Sequence, residues 1–304
     1  MNSLTEKSHS IEKTKLSQKT KLSQKNSLSE KNSLSEKNSL GENNLLTAKS
    51  LQLTLGKKVV IDHVDVMVQK NEFVGLIGPN GAGKSSLLRM LAGLIKPNAG
   101  EIKLCINEVS SSITKISPQH RARFMAYLAQ HETPVWPLSV KNLVALGRSP
   151  WNENIISPSS ADEIAIANAM LMTDVHTLAD RPITELSGGE LQRALLARVF
   201  AGCPKLILAD EPIAALDVYH QLHVMELLQA QAKNGGAVIA ALHDLSLAAR
   251  FCSRLILIHN GKMIAEGEPV NVLTPENLAR VYGVSAYVDC REEGVVIIPR
   301  KRLE

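Results

Sequence analysis

The order of apolar segments predicts an α/β fold built on a mostly parallel sheet with helices on both faces. Three observations carry this. Short unbroken apolar runs at 73–77, 124–129, 206–209, 238–242 and 255–258 have the length of buried strands. Helix-length segments separate them. Two of the runs end in residues with a chemistry of their own, a glycine-rich turn after 77 and a pair of carboxylates after 209. An early stretch, 48–70, adds antiparallel strands. The segment 134–203 breaks the alternation. It is rich in helix (Ser139 to Ala145, Ser160 to Met172, Glu190 to Ala201) and holds both tryptophans, Trp136 and Trp151. Asn260 and Gly261, between LILIH and KMIAEG, give a two-residue hairpin signal. The division that follows is a low-complexity tail at 1–44, a core at 45–133 and 204–260, a helical subdomain at 134–203 and a C-terminal extension at 261–304.

The first run, Phe73, Val74, Leu76 and Ile77, feeds Gly78, Pro79, Asn80, Gly81, Ala82, Gly83, Lys84, Ser85 and Ser86. Glycine is required where backbone amides must close around β and γ phosphates, because a side chain would obstruct the approach or forbid the dihedrals. Lys84 supplies a point positive charge and Ser85 a hydroxyl for a magnesium ion. The helix expected over Ser85 to Leu94 turns its positive dipole end toward the anion. A glycine turn that merely precedes a lysine would not come with strand, loop and helix in this order.

The run Leu206 to Ala209 ends in Asp210 and Glu211. Neighbouring strand residues point to opposite faces, so the two carboxylates cannot do the same work. Asp210 suits the magnesium shell, and Glu211 is placed to orient and polarise an attacking water. Three further segments stand at strand or helix ends. Gln130 follows the apolar run 124–129, where a neutral amide can reach the metal shell. His243 follows Val238 to Leu242 and so emerges at the same sheet edge as Lys84 and Asp210. Ser187 and Glu190 read as a capping box, sufficient to start a helix. Gly188 and Gly189 between them weaken a first turn by about 1 kcal/mol each, a loss that suits bare amides meeting a phosphate. Asp217 caps the helix predicted over Val218 to Lys233. His220 and His223, three apart on it, lack further nearby ligands and read as surface residues.

Six motifs in order, GPNGAGKS, AYLAQHE, LSGGELQRALLARVF, LILADEP, AALD and ALHDLSLAARF, resemble the ATP-binding subunit of an ABC transporter over most of residues 48–285. The resemblance implies ATP and Mg2+ as cofactors and ATP hydrolysis coupled to transport. It implies a head-to-tail dimer in which Leu186, Ser187, Gly188, Gly189 and Glu190 complete the other copy's site, with Asp217 as a cross-dimer contact. It makes His243 the γ-phosphate switch and brings Gln130 to a transmembrane permease. A substrate-binding protein is an indirect partner, and the place of work is the cytoplasmic face of the cell membrane. Two departures stand out. Leu55 occupies the position where an aromatic ring normally stacks on adenine, leaving aliphatic contact at best. Ile213 stands where threonine is usual. The segments 135–151, 216–221 and 278–284 resemble importers of iron chelates, haem or cobalamin. In that reading Trp136 to Leu138 and the region near Arg148 lie beside the groove that grips the permease, although plain core is an equal reading for the tryptophans. A non-transport ABC ATPase, or a regulatory binder that does not hydrolyse, are the rival classes. The first would usually carry two cassettes or a coiled-coil insertion.

Composition agrees. Among 304 residues, 44% are apolar, enough for a sizeable core, and no run of about 18 apolar residues occurs. Cys105, Cys203, Cys252 and Cys290 are widely spaced and read as reduced thiols. Residues 1–42 hold eight lysines against five glutamates, a net +3 of the total +4, so the body is nearly neutral and carries no nucleic-acid footprint. The tail repeats every six residues, spacing Leu16, Leu22, Leu28, Leu34 and Leu40 evenly. Six residues advance a helix by roughly 600°, which scatters those leucines. Disorder is the better reading, with a membrane-surface arm or an early start codon as alternatives.

Overall fold

The computed structural model describes residues 43–130, 136–151, 159–291 and 294–303. The repeat tail expected to be disordered lies outside these residues, as does the expected boundary at 133.

Among the described residues the strands form three sheets. β1 (Asn44–Leu55), β2 (Lys58–Gln69), β4 (Ala99–Ile106) and β5 (Val109–Ser112) form one in the order β2-β1-β4-β5, with β4 antiparallel to both neighbours. The sequence pattern anticipated β1 and β2 and missed β4 and β5. In β4 only Ile102 and Leu104 are buried, so no apolar run marks it. The central sheet has the order β10-β9-β3-β8-β7-β6. Its strands β3 (Glu72–Ile77), β6 (Met125–Leu128), β7 (Leu206–Asp210), β8 (Ala237–Ala241) and β9 (Arg254–His259) are parallel, as expected. Phe124, expected to open β6, instead closes α2 (Pro118–Phe124). Asn260 and Gly261 both take positive φ in the predicted hairpin, and β10 (Lys262–Gly267) returns antiparallel along β9 as the sheet's edge.

Alternation within the strands divides the interior into two cores. From β3, Phe73 and Ile77 enter one and Val74 and Leu76 the other; from β7, Ile207 and Ala209 part from Leu206 and Leu208 in the same way. The first core takes in the helices α3 (Val140–Ala145), α4 (Ser160–Met172), α5 (Gly188–Ala201), α6 (Val218–Lys233) and α7 (Leu245–Phe251). The second faces α1 (Lys84–Leu91) and the antiparallel sheet. After β10 come α8 (Pro269–Val272), α9 (Pro275–Tyr282) and a ladder of β11 (Val284–Arg291) with β12 (Gly294–Arg302).

Both tryptophans lie outside the cores. Trp136 is 72% exposed, and the guanidinium groups of Arg123 and Arg148 both lie over the ring of Trp151, whose indole N–H donates to Gly202 O at 3.0 Å. Plain core is therefore the wrong reading for them. Arg148 itself is committed to the buried Asp162 at 2.6 Å and to Ala201 O.

Register fixes the site. Leu76 and Asp210 both pair with Ala241, so the segments after β3, β7 and β8 leave the sheet at one carboxyl edge.

Candidate functional site

At that edge the glycines of the first loop are required by conformation. Gly78, Gly81 and Gly83 have φ of +146°, +77° and +109°. A Cβ on Gly78 would lie 2.1 Å from Ile258 O, and one on Gly83 2.7 Å from Val60 O. Gly83 precedes α1 without any side-chain cap, and the first turn of α1 contains no acid. Its leading amides therefore have no competing side-chain acceptor. Lys84 is buried, and its Nζ donates to Gly78 O at 2.7 Å and Pro79 O at 3.2 Å. Burial pushes the ammonium below its ordinary pKa, against the upward pull of Glu211 and Asp210.

Ser85 Oγ donates to Asp210 Oδ1 at 3.0 Å, which brings together two of the three predicted metal ligands. Asp210 is 1% exposed; burial raises its carboxyl above the usual range while the Ser85 hydrogen bond lowers it. The Tyr127 hydroxyl donates to Asp210 Oδ2 at 3.4 Å, and Arg89 Nε donates to Tyr127 at 3.5 Å. Sequence reasoning missed Tyr127. It pairs in register with Leu208, two residues before Asp210 on the same face, so only knowledge that β6 neighbours β7 could have found it. Glu211 lies at φ +53°, a conformation costly for a residue with a side chain, and His243 Nε2 meets its Oε1 at 2.5 Å.

A cavity of about 590 Å³ collects Asn80 to Ser86, Gln130, Glu211 and His243 along its wall, together with Lys58 and Val60. Leu55 is not among these lining residues. It ends β1 and is 52% exposed, and from the strand that follows it Lys58 and Val60 line the cavity. Neither residue carries a motif, so no sequence signal marks them.

Leu186 to Glu190 do not line this cavity either. The capping box is complete: Ser187 Oγ accepts from the Glu190 N–H at 3.2 Å, and Glu190 Oε2 accepts from the Ser187 N–H at 2.8 Å. That backbone donor holds the Glu190 carboxyl below its ordinary pKa. The helix begins at Gly188, two residues earlier than predicted, and a Cβ on Gly189 would lie 3.3 Å from Ala215 O. Asp217 caps α6, accepting from the His220 N–H at 2.9 Å, and stays exposed. His220 and His223 are half-buried and not free on the surface, tied to Asp217 and to Met172 O. No group of three metal-ligating side chains gathers among the described residues.

Holding phosphate oxygens is what such an edge can do, and it defines the class of P-loop nucleotide-binding ATPases. Within that class the chain belongs to the ABC transporter family, as its ATP-binding cassette. The family profile matches residues 61–214. The hemin import ATP-binding protein HmuV of Rhodococcus jostii is 42% identical over 78% of this chain and 80% of its own length. The protein of the same name from Photobacterium damselae is 40% identical, covering 78% and 89%. Among solved structures, a metal-chelate type ABC transporter in an inward-facing conformation superposes with TM-score 0.72 at 26% identity, over 85% of this chain and 98% of that one. The cassette MJ0796, a dimer in a post-hydrolysis state with ADP and Pi, gives 0.64 at 25% identity, over 74% and 99%.

Proposed function

We propose that the chain is the ATP-hydrolysing subunit that energises an importer of haem, iron chelates or cobalamin. It works as a head-to-tail pair held to permease subunits at the cytoplasmic face of the cell membrane, with a substrate-binding protein delivering the cargo. The observation that carries the reading is a division of labour within one chain. The loop, Glu211 and His243 share one cavity, whereas the capped start of α5 stands outside it with Gly188 exposed. A second copy can offer that helix start to the triphosphate, so each nucleotide lies between two chains. The similarity to hemin import proteins and to a metal-chelate type transporter favours hemin or a metal chelate as cargo.

The residues divide the chemistry as follows. The amides of Gly81 to Ser85 and the Lys84 ammonium bind the β and γ phosphates, and burial strengthens the attraction between them and the anion. Glu211 accepts a hydrogen bond from the attacking water and orients it in line. His243, already in contact with Glu211, links the position of that carboxylate to the γ-phosphate. The hydroxyl of Ser85, the carboxylate of Asp210 and the amide oxygen of Gln130 make an all-oxygen donor set that fits Mg2+. When bound there, the ion neutralises charge developing on the phosphoryl oxygens. ATP holds the pair closed because it binds the joined state better than the open one, and hydrolysis removes that preference. No helix among the described residues is long and apolar enough to cross a membrane, so the described part supplies no spanning helix of its own. A groove of about 980 Å³ on the helical subdomain, with Leu138, Ala145, Leu146, Ile166, Met170 and Leu171 along it, supports docking of a permease segment there.

Glu211→Gln tests the reading. Hydrolysis should fall by about 10²-fold or more, the range for a lost general base. ATP binding should remain, and light scattering should detect an ATP-dependent dimer. Hydrolysis at the wild-type rate would overturn the assignment of Glu211.

A further inference from the structure

The carboxylate of Asp210, at the end of β7, is held at two points by different elements. Ser85 Oγ, in the first turn of α1, donates to Oδ1 at 3.0 Å. The Tyr127 hydroxyl, on β6, donates to Oδ2 at 3.4 Å. Tyr127 in turn accepts from Arg89 Nε at 3.5 Å, and Arg89 stands four residues after Ser85 on the same face of α1. Four side chains therefore close a circuit: Ser85 to Asp210, Asp210 to Tyr127, Tyr127 to Arg89, and back along one turn of helix.

The backbone sets this circuit up. β6 and β7 are parallel neighbours with Tyr127 opposite Leu208, so Tyr127 and Asp210 share the sheet face that packs toward α1. The tyrosine ring is half-buried against that core, which limits where its hydroxyl can go. Asp210 is 1% exposed, so bulk water is a poor substitute for a lost donor. A carboxylate fastened through one oxygen can still rotate about its Cβ–Cγ bond. Fastened through both, it keeps Oδ1 beside the Ser85 hydroxyl. The constraint matters for the metal assigned to this pair, because Mg2+ demands near-ideal octahedral geometry and ligating carboxylates depend on hydrogen bonds from behind.

We infer that Tyr127 is a positioning residue for the metal site: its phenol, backed by Arg89, locks the Asp210 carboxylate beside Ser85 and so sets how much Mg2+ strengthens nucleotide binding. The inference rests on the reading of Ser85 and Asp210 as Mg2+ ligands and adds to it a side chain that ligates nothing itself.

The test is Tyr127→Phe in the full chain, which removes the hydroxyl and keeps the ring. Binding of a non-hydrolysable ATP analogue is measured by equilibrium dialysis with Mg2+ and with EDTA, and the nucleotide-free unfolding midpoint is followed beside it. The gain in affinity on adding Mg2+ should shrink about fivefold, below the roughly 10–100-fold usual for such an outer partner because the 3.4 Å bond is long. Affinity in EDTA and the unfolding midpoint should stay close to wild type. In an Asp210→Ala background the same change should have no further effect, because the route passes through that carboxylate. An Mg2+ gain equal to that of wild type overturns the inference, as does an equal loss of affinity with and without Mg2+, or an undiminished effect in the Asp210→Ala background. A wild-type chain whose affinity does not respond to Mg2+ would instead overturn the metal reading itself, and one that does not bind the analogue at all would overturn the ATP site.

Discussion

The chain contains two glycine-rich helix starts, and they solve opposite problems. At α1 the glycines sit at positive φ, no side chain caps the helix, and the lysine that follows is buried. At α5 neither glycine has positive φ, a complete capping box closes the turn, and Gly188 is exposed. The first is a pocket whose backbone could not be drawn with any other residue. The second is a self-sufficient helix end whose only open feature is a bare first turn. A site made of both needs the rigid start to hold the triphosphate and the exposed start to arrive from elsewhere, which is the physical content of a shared nucleotide.

Breaking the first start should therefore cost most. Gly83→Ala places a Cβ 2.7 Å from Val60 O at φ +109°. Strain and displacement together should lower stability by about 3 kcal/mol. Thermal unfolding should register this as a large fall in midpoint, and ATP binding should be lost. A variant that kept the wild-type midpoint would mean that the loop relaxes around the added methyl.

Asp210 sharpens the comparison, because the rigid start also stores electrostatic cost. Its folded pKa is raised by burial, so the fold favours the neutral form. The sign follows: the penalty of ionising it is absent well below the ordinary carboxylate range and grows as pH rises through the folded value. Asp210→Asn should then raise the nucleotide-free melting temperature at pH 7, and the gain should shrink as the pH is lowered toward 4. A gain that is constant with pH would assign the effect to packing. Hydrolysis should fall in the same variant, since the carboxylate proposed to hold Mg2+ is lost.

The difference between the two starts also governed what could be read from sequence. The phosphate loop, the Asp210–Glu211 pair and His243 were legible because each follows an unbroken apolar strand, and parallel strands deliver their ends to one edge. The residues that escaped are those whose part depends on which strand lies beside which: Tyr127 reaching Asp210 across β6 and β7, and Lys58 and Val60 lining the cavity of the phosphate loop. β4 and β5 escaped for a simpler reason, since a strand buried on one face by two residues has no apolar run to see. For Gly188 and Gly189 the sequence suggested close approach to a phosphate. The structure adds a reason internal to the chain, because Ala215 lies within 3.3 Å of where a side chain on Gly189 would begin.

Gly188 separates the two reasons and gives the smallest effect on stability. A Cβ there would meet only Ala215 Cβ at 3.6 Å, an ordinary contact. Within the chain alanine is tolerated and should gain helix propensity, about 0.5 kcal/mol at an exposed first turn. The melting temperature of Gly188→Ala should accordingly match or slightly exceed wild type. Its methyl, however, projects from the face that a second copy's phosphate would approach. ATP-dependent dimerisation, followed by light scattering in the Glu211→Gln background, should weaken by about tenfold, as expected for a misfit of around 1.4 kcal/mol at a close interface. A stable Gly188→Ala chain that dimerises with ATP as tightly as its parent would remove the bare helix start from the shared site, because nothing inside the chain requires glycine at that position.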